Sequence, residues 1–205
     1  MNQIDVATAR RNAQIERNRL FFSERQTFNS ITVEPFTMDD ISENYLSWLK
    51  DSSHLAFSDQ QYFCHTKSSS EKYLSTFYNS PNLFLKLVSS ETQIIGTATI
   101  YIDSLHLTCN VGILLDPKWS GSGLGTNSWN ILVNQICPNI GIRKVSAGTV
   151  VNNLAMIRLF EKSGMTLEAT LKNEKIYQGN SYDVVIFSKF FDVGPKRRDT
   201  PNLNT

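Results

Sequence analysis

The 205-residue sequence has few cysteines, almost no net charge and no long apolar run, and each absence argues against a class of protein. Its three cysteines, Cys64, Cys109 and Cys137, are odd in number and far apart, which argues against a disulfide framework or a zinc site. The net charge of +1 gives no electrostatic reason to expect nucleic acid or an anionic membrane as a partner. No run of about 18 apolar residues and no signal-peptide pattern occurs. We therefore expect a cytoplasmic protein that binds neither nucleic acid nor membrane and carries no metal.

The composition predicts one globular domain with polar ends. Hydrophobic residues make up 40% of the chain, which is enough for a single substantial core at this length. Residues 1–30 are polar and rich in arginine, so we predict an N-terminal arm there, either frayed or forming a docking helix. Residues 31–191 carry the periodic patterns of the domain, whereas residues 192–205 have little to bury and are predicted to form a disordered tail.

Hydrophobic periodicity predicts a strand, two helices and three further strands in the first half of the domain. A strand from Ile31 to Phe36 leads into a capping-box spacing at Thr37–Asp40, and a second such spacing at Ser68–Glu71 is predicted to open another helix. Segments rich in Ile, Leu, Val and Thr then alternate with polar turns, as consecutive antiparallel strands do. These segments are Leu83–Val88, Gln93–Ile102 and Leu107–Leu115.

The second half of the domain alternates helices with strands. Trp129 lies on an amphipathic stripe that predicts a helix, and Lys144–Val151 has the composition of a strand. Asn152 or Asn153 is predicted to cap the next helix, and a hairpin is predicted over Thr166–Phe191. The sequence therefore predicts a mixed α/β fold with a largely antiparallel sheet.

A glycine-rich segment, Asp116–Thr126, lies between a predicted strand and a predicted helix. Gly121, Gly123 and Gly125 let the backbone turn its amides towards one point, and the first helical turn adds unpaired amides and the positive end of the helix dipole. That arrangement binds phosphate, although a glycine-rich loop can also be only a turn. A P-loop is excluded because no Gly-Lys-Ser/Thr is present, and a Rossmann dinucleotide site because the next strand ends at Asn152 without an acidic residue.

Two blocks of the chain resemble the GNAT superfamily of N-acetyltransferases, and the resemblance extends over about residues 31–191. Ser120–Gly125 follows a strand and opens a helix, like the family signature R/Q-x-x-G-x-G/A. Val151–Met165 resembles the family's second block, in which an asparagine opens a helix that ends in E-K-x-G-F. Three shorter stretches are similar to the branch that acetylates amino sugars, antibiotics or protein N-termini. These stretches are Ile95–Gly96, Asn110–Ile113 and Tyr182–Val185.

The resemblance implies a fold, a coenzyme and a set of residues. The fold is α/β: a GNAT-like mixed, mostly antiparallel sheet that splays beside the coenzyme, with helices on both faces. The co-substrate is acetyl-CoA, whose pantetheine arm would pair with the strand end and the second-block asparagine, and whose pyrophosphate would lie in the glycine loop. The coenzyme-binding residues implied in this way are Ile113, Leu114, Leu115, Ser120, Gly121, Ser122, Gly123, Leu124, Gly125, Thr126, Asn153, Met156 and Phe160.

The implied catalytic groups are a backbone amide at Leu114 and the imidazole of His106. The splay beside Leu114 would aim an N–H at the thioester oxygen, a preorganised donor for the charge that develops there. His106 matches a histidine of the sugar-acetylating branch and titrates in the range that suits a general base. A surface or structural role for His106 stays open, and that role is favoured for His54, His65 and Asp103.

Four positions depart from the family pattern. Ser120 and Ser122 stand where cations often occur, so we expect weaker coenzyme affinity but not its loss. Phe160 stands where many relatives carry a tyrosine that protonates the leaving thiolate, and phenylalanine has no proton to give. A thiolate with a pKa near about 8.5 can instead be protonated by water. Asn110 replaces an acidic residue and cannot act as a base.

The expected activity is transfer of an acetyl group from acetyl-CoA to a primary amine by direct attack. The preferred acceptor is a small molecule, an amino sugar or sugar nucleotide, on the resemblance alone. One alternative is a protein N-terminal acetyltransferase, and another, of a different class, is a non-catalytic acyl-CoA-binding module. Exposed strand edges and aromatic residues in the first third would also suit a homodimer.

Overall fold

Six α-helices and eight strands form the part of the chain that the computed structural model describes, residues 5–52 and 55–193. The helices are α1 (Val6–Phe21), α2 (Glu43–Trp48), α3 (Lys67–Ser75), α4 (Leu124–Ile131), α5 (Cys137–Asn139) and α6 (Leu154–Lys162). The strands are β1 (Gln26–Phe28), β2 (Ile31–Pro35), β3 (Leu83–Ser89), β4 (Ile94–Asp103), β5 (Thr108–Leu115), β6 (Lys144–Val150), β7 (Thr166–Tyr177) and β8 (Asn180–Phe190). Most of the predicted tail, residues 194–205, lies outside the described residues.

The strands form one sheet in the order β1-β2-β3-β4-β5-β6-β8-β7. Every neighbouring pair is antiparallel except β5 and β6, which run parallel. A parallel pair needs a long crossover connection, and here the glycine-rich segment, α4 and α5 supply it. The mixed, mostly antiparallel sheet predicted from the sequence is confirmed.

The sheet splays in its middle, between the two parallel strands. β5 pairs with β4 as far as Leu115, but it pairs with β6 only from Thr108 to Asn110. The last five residues of β5 therefore leave β6 and have a free edge on that side. Strand separation of this kind opens a slot between the C-terminal ends of β5 and β6.

Helices cover both faces of the sheet. Successive residues of a strand point to opposite faces, so both faces carry apolar side chains that pack against helices. Leu85 and Leu87 of β3 face the main core, which includes Trp129 of α4 and Phe160 of α6. Phe84, the residue before Leu85, packs on the other face with a second apolar cluster formed largely by α2 and α3. The predicted placement of helices on both faces is thus confirmed.

Helix α1 docks on the domain through polar side chains. Its buried residues are Gln14 and Asn18. Gln14 Nε2 donates a hydrogen bond to the carbonyl of Ile140 (2.9 Å), and Asn18 Nδ2 donates to that of Pro81 (2.7 Å). The segment predicted as a polar arm therefore holds a docked helix and β1, which pairs with β2 at the sheet edge. The domain boundary at residue 31 stays a prediction.

Helix α4 continues through a π-helical turn at Leu132–Ile136 into α5. Pro138 lacks an N–H and its ring crowds the preceding helical turn, and the wider π turn accommodates both defects. Trp129, Leu132 and Ile136 are fully buried, as the apolar stripe predicted. This long helix forms one side of the slot at its N-terminal end.

One of the two predicted capping boxes is correct. The amide of Thr37 donates to Asp40 Oδ2 at 2.7 Å, although the turn that this box opens is a 3-10 turn. The prediction at Ser68–Glu71 is wrong, because α3 is capped two residues earlier by Thr66, whose Oγ1 accepts from the amide of Ser69 at 3.1 Å. The extended backbone of Thr66 leaves its hydroxyl free to cap, whereas Ser68 already lies in the first helical turn.

Candidate active site

The glycine-rich segment enters α4 through left-handed backbone conformations. Gly121 and Gly123 have φ angles of 75° and 81°, and Gly123 is the N-cap residue of α4. Such angles favour glycine because a side chain would be strained there. A Cβ atom built on either residue meets no atom within 4 Å, so the space in front of both glycines is open to a ligand.

Several amides at the start of α4 have no protein partner. Among the described residues, the N–H groups of Gly121, Gly123, Gly125 and Thr126 make no hydrogen bond. Unpaired amides at a helix N-terminus, together with the positive end of the helix dipole, form an anion-binding site. The geometry thus fits a phosphate group at this loop, which supports the phosphate interpretation over a simple turn.

The serines of the loop bring hydroxyl groups but no positive charge. Ser122 Oγ donates to the carbonyl of Trp119 at 2.6 Å and accepts from the amide of Leu124 at 3.3 Å. Ser120 is exposed at the start of the loop. The protein itself therefore occupies the amides of Ser120, Ser122 and Leu124, and any anion must be held chiefly by the remaining backbone N–H groups.

The amide of Leu114 points away from the slot, contrary to the prediction. The amide of Asp116 donates to the carbonyl of Ile95 on β4 (2.9 Å), and strand amides alternate sides. Leu114, two residues before Asp116, therefore also turns its amide towards β4, where Thr97 is its partner in the ladder. The prediction that Leu114 supplies the N–H for the thioester is wrong on this geometry.

The amides of Ile113 and Leu115 face the open edge of β5 instead. Each is one residue from Leu114 along the strand, so its amide points to the opposite side of β5. Both residues lie beyond Asn110, the last residue that pairs with β6. Their side chains are half-buried and pack against the main core. These two residues supply the free backbone groups that a pantetheine arm could pair with.

Helix α6 begins on the other side of the slot, at Asn153. Its side-chain oxygen accepts from the amide of Met156 at 3.3 Å, so Asn153, not Asn152, is the cap. The side-chain Nδ2 of Asn153 has no hydrogen-bond partner among the described residues and can donate to a ligand. Met156 is half-buried one turn into the helix.

Phe160 does not face the slot. Its side chain is 0% exposed, and its ring lies between those of Trp129 and Phe187, each at a centroid distance of 5.3 Å. The prediction that Phe160 contacts the coenzyme is therefore wrong. The position that carries a tyrosine in many relatives is a core position in this chain.

His106 lies at the far end of β5 from the slot. It is exposed in the turn between β4 and β5, where its amide donates to Asp103 Oδ1 (3.0 Å) and its carbonyl accepts from Arg143 Nε (2.7 Å). The strand from Thr108 to Leu114 alone spans roughly 20 Å at about 3.3 Å per residue. A histidine side chain cannot reach over that distance, so the prediction of His106 as general base is wrong on this geometry.

Of the other polar candidates, His65 and Asp103 have structural partners. His65 Nε2 lies 2.7 Å from the carbonyl of Gln60, and Asp103 Oδ1 accepts two amides of its own turn, those of Leu105 and His106. His54 falls outside the described residues. Of the two described histidines, His65 therefore has a backbone partner and His106 lies far from the slot, so neither is a candidate for the general base.

A recess of about 340 Å³ lies on the sheet face away from α4 and α6. Asn110 is exposed in it and shares its side of β5 with Leu114, which packs against the α2–α3 cluster. The recess lies where β5 and β6 still pair. Its lining residues are Tyr101, Asp103, Thr108, Cys109, Asn110, Lys144 and Ser146.

An aromatic cluster on the β7–β8 hairpin was not found from the sequence. The rings of Phe57, Tyr62 and Tyr182 surround that of Tyr177, with centroid distances of 6.0 to 6.4 Å. Tyr177 also packs with Val150, the last residue of β6. The aromatic composition of the first third was the available signal, but nothing in the sequence indicates which hairpin those rings contact.

Asp59 fastens this cluster to the hairpin. It accepts from Lys175 Nζ at 2.6 Å and from the hydroxyl of Tyr177 at 2.9 Å. The hydrogen bond from Lys175, and that from Tyr177, hold the pKa of Asp59 below its ordinary value despite partial burial. In the α2–α3 cluster, burial raises the pKa of Tyr45 to about 12. Asp59 thus stays ionised and Tyr45 stays protonated at neutral pH.

Two features of the described residues bear on other functions. None of the helices in that part of the chain is both long and apolar enough to cross a membrane. No three His, Cys, Asp or Glu side chains of the same residues lie close enough together to hold a metal ion.

A curated relative shares part of the sequence. It is described as a probable N-acetyltransferase, YjcK, from Bacillus subtilis (strain 168), and it is 29% identical over 91 residues. The matched segment is 43% of this chain and 50% of the relative. The chain therefore spans about half the length of that relative.

Solved structures share the fold over most of the chain. Ribosomal-protein-S5-alanine acetyltransferase from Vibrio fischeri matches with a TM-score of 0.72 at 18% identity, covering 84% of this chain and 100% of that one. The microcin C7 self-immunity acetyltransferase MccE, solved with acetyl-CoA and AMP, matches with a TM-score of 0.68 at 23% identity, covering 80% and 94%. Residues 30–166, more than half of the chain, match the family described as Acetyltransferase (GNAT) domain, and the chain therefore belongs to the GNAT acetyltransferases.

Proposed function

We propose that this chain transfers the acetyl group of acetyl-CoA, the donor that the family uses, to a primary amine of a small molecule. One observation carries the proposal: unpaired amides at the start of α4 and the free edge of β5 border the same slot. The unpaired amides can hold a diphosphate, and the free strand edge can hold an extended amide-containing arm. Coenzyme A contains both groups in that order.

The coenzyme would be held mostly by backbone. The loop from Ser120 to Thr126 would hold the pyrophosphate, and the edge at Ile113 and Leu115 would pair with the pantetheine arm as an added strand would. Asn153 Nδ2 would donate to a carbonyl of that arm, and Met156 would contact it from α6. The absence of loop cations predicts modest affinity, since charge-assisted bonds are about twice as strong as neutral ones.

The reaction we propose is direct attack of a neutral amine on the thioester carbonyl. An amide at Ile113 or Leu115 would donate to the thioester oxygen as negative charge develops on it, which is the kind of preorganised donor that stabilises such transition states. The new C–N bond forms, the C–S bond breaks, and the amine proton passes to water. Water also protonates the leaving thiolate, because Phe160 is buried and has no acidic proton.

The acceptor would approach from the face opposite α4 and α6. The recess there includes hydroxyl, amide and charged groups, which would suit a hydroxylated acceptor such as an amino sugar or a sugar nucleotide that extends from the recess towards the thioester. The structural neighbour MccE is in complex with AMP beside acetyl-CoA, which supports a small acceptor that contains a nucleotide.

Protein N-terminal acetylation is the second candidate. The neighbour from Vibrio fischeri is named for the alanine of ribosomal protein S5, and a peptide amine with a pKa near about 8 needs little help from a base. The site has no obvious base, which favours such an acceptor. A non-catalytic acyl-CoA-binding module remains the alternative of another class.

A thiol-release assay with acetyl-CoA and a panel of amines tests these proposals. We expect turnover with amino sugars or their nucleotides, and little turnover with peptides that begin in alanine or serine. Peptide turnover alone would replace the small-molecule proposal with the second candidate. Calorimetric binding of acetyl-CoA without turnover of any amine would leave the binding module, and no binding at all would contradict the whole proposal.

We also propose that a homodimer would use the sheet edge at β7, the longer of the two edge strands. Exposed apolar side chains on it include Leu167 and Ile176. Sedimentation of the wild type and of Leu167→Lys tests this: a dimer that the substitution dissociates supports it, and a monomeric wild type contradicts it.

A further inference from the structure

The two halves of the proposed coenzyme site stand on different helices. The loop amides belong to the start of α4, and the Asn153 side chain belongs to the start of α6. A ligand that touches both is held well only if the two helices keep a fixed spacing, because affinity depends on how much of the geometry is set before binding. The contacts that set this spacing are therefore part of the site.

A buried hydrogen bond joins the two helices directly. Trp129 Nε1 on α4 donates to Ser163 Oγ, at the C-cap of α6, over 3.2 Å. The same hydroxyl donates to the carbonyl of Phe160 at 2.8 Å, so it both accepts from α4 and donates within α6. Trp129 is 0% and Ser163 2% exposed, and a hydrogen bond shielded from water in this way is electrostatically stronger than one in solvent.

The backbone carbonyl of Ser163 accepts two further hydrogen bonds. It accepts from Asn134 Nδ2, on the π-helical turn that continues α4, at 3.2 Å. It also accepts from Lys189 Nζ, on β8, at 2.7 Å. Ser163 therefore joins the α4 helix, α6 and the sheet, and the rings of Trp129, Phe160 and Phe187, each tilted by 44° to the next, lie in contact nearby.

We propose that Trp129 and Ser163 are positioning residues whose hydrogen bond sets the spacing of α4 and α6 and thereby the affinity for acetyl-CoA. This rests on the proposed function. Neither residue needs to touch the coenzyme, since both side chains are buried where α4 and the C-terminal end of α6 meet. The two sequence blocks that resemble the family do not assign this role to Trp129 or Ser163.

The test compares Ser163→Ala, Trp129→Phe and the double variant with the wild type in calorimetric binding of acetyl-CoA. Each single substitution removes the hydrogen bond and is expected to raise the dissociation constant about five-fold, the change that about 1 kcal/mol produces. The double variant is expected to bind no more weakly than the weaker single variant, because the bond can be lost only once.

Ser128→Ala is the matched control. Ser128 lies on α4 beside Trp129 and is fully buried, but its hydroxyl has no hydrogen-bond partner among the described residues. We expect this control to bind acetyl-CoA like the wild type. In steady-state kinetics, Ser163→Ala should raise the KM for acetyl-CoA and leave kcat and the KM of the amine unchanged, a separation that general loss of stability would not produce.

Two outcomes overturn the proposal in different ways. If the wild type binds acetyl-CoA and Ser163→Ala binds it equally well, even with a lowered melting temperature, the bond is merely structural and only this inference is lost. A wild type that binds no acetyl-CoA would overturn the proposed function and this inference with it. Because Ser163→Ala removes a single hydroxyl, it keeps the test available if Trp129→Phe fails to fold.

Discussion

Gly125 lies directly against Leu115: a Cβ atom on the glycine would come within 2.7 Å of Leu115 Cδ1. The start of α4 thus packs on the end of β5, so the unpaired loop amides and the free strand edge lie at the same place. A side chain at this position, whose backbone is helical, would have to displace the end of the Leu115 side chain. The other two glycines serve the loop through their φ angles.

Gly123→Ala is expected to weaken coenzyme binding, and Gly179→Ala provides a matched control. Both glycines have φ near 80° and open space around a built Cβ atom, so both substitutions should cost roughly 1–2 kcal/mol of stability from left-handed strain. Gly179 lies in the β7–β8 hairpin turn, outside the glycine-rich loop. Only Gly123→Ala should raise the KM for acetyl-CoA, and equal KM values for both variants would contradict the loop assignment.

Asn153 is expected to have two separable roles. Asn153→Ala should remove the N-cap and cost roughly 1 kcal/mol of unfolding free energy, as well as coenzyme affinity. Asn153→Asp keeps a capping oxygen but loses the Nδ2 donor, so it should retain stability and still bind acetyl-CoA more weakly. Urea denaturation and calorimetry measure the two effects. Wild-type affinity in Asn153→Asp would remove this residue from the coenzyme site.

Phe160→Tyr is expected to destabilise the protein without adding an acid. The new hydroxyl would be buried between Trp129 and Phe187, and an unsatisfied buried polar group costs roughly 1–3 kcal/mol. Phe63→Tyr is the control, because Phe63 is 64% exposed and its variant should keep wild-type stability. A rise in kcat for Phe160→Tyr would mean instead that the ring can turn into the slot.

His106→Ala is expected to leave turnover within about two-fold of the wild type at every pH at which the protein is folded. The reason is distance, since the side chain lies at the opposite end of β5 from Leu115. A pH–rate profile of both proteins measures this. A strong loss of turnover at neutral pH that recovers at alkaline pH would identify His106 as the base after all.

Asp40 is expected to contribute to stability in a pH-dependent way. Burial would by itself raise the pKa of Asp40, but hydrogen bonds from Lys86 Nζ (2.8 Å) and Thr37 outweigh it and lower that pKa below the ordinary 3.8. A lowered folded pKa gives stability that is full above about pH 4 and is lost as the pH falls through the folded value.

The substitution Asp40→Asn tests this contribution. We expect it to cost roughly 1.5–3 kcal/mol at pH 7, the range for hydrogen bonds to charged groups, and to flatten the acid limb of the stability curve. Denaturation at a series of pH values between 2 and about 7 provides the measurement. Parallel acid limbs for the variant and the wild type would show that Asp40 is not a source of this dependence.

The sequence by itself determined most strands and helices of residues 31–191 and where the glycine-rich loop lies. These features are local: the alternation of apolar residues in β3 to β5, the stripe through Trp129, and three glycines before a helix all act over a few neighbouring residues. The same holds for the Asn153 cap. A second possible cap was misplaced because Ser68 and Thr66 satisfy similar spacings two residues apart, and only the entry angle of the chain decides between them.

Only the tertiary structure decided which groups face the slot. The side of β5 to which an amide points depends on its pairing with β4, so Leu114 and its neighbours Ile113 and Leu115 could not be told apart from composition. His106 and Phe160 matched family positions, yet one lies at the far end of a strand and the other in the core. Distance and burial arise from contacts between residues far apart in sequence, as the hydrogen bond from Trp129 to Ser163 does, and no local pattern encodes them.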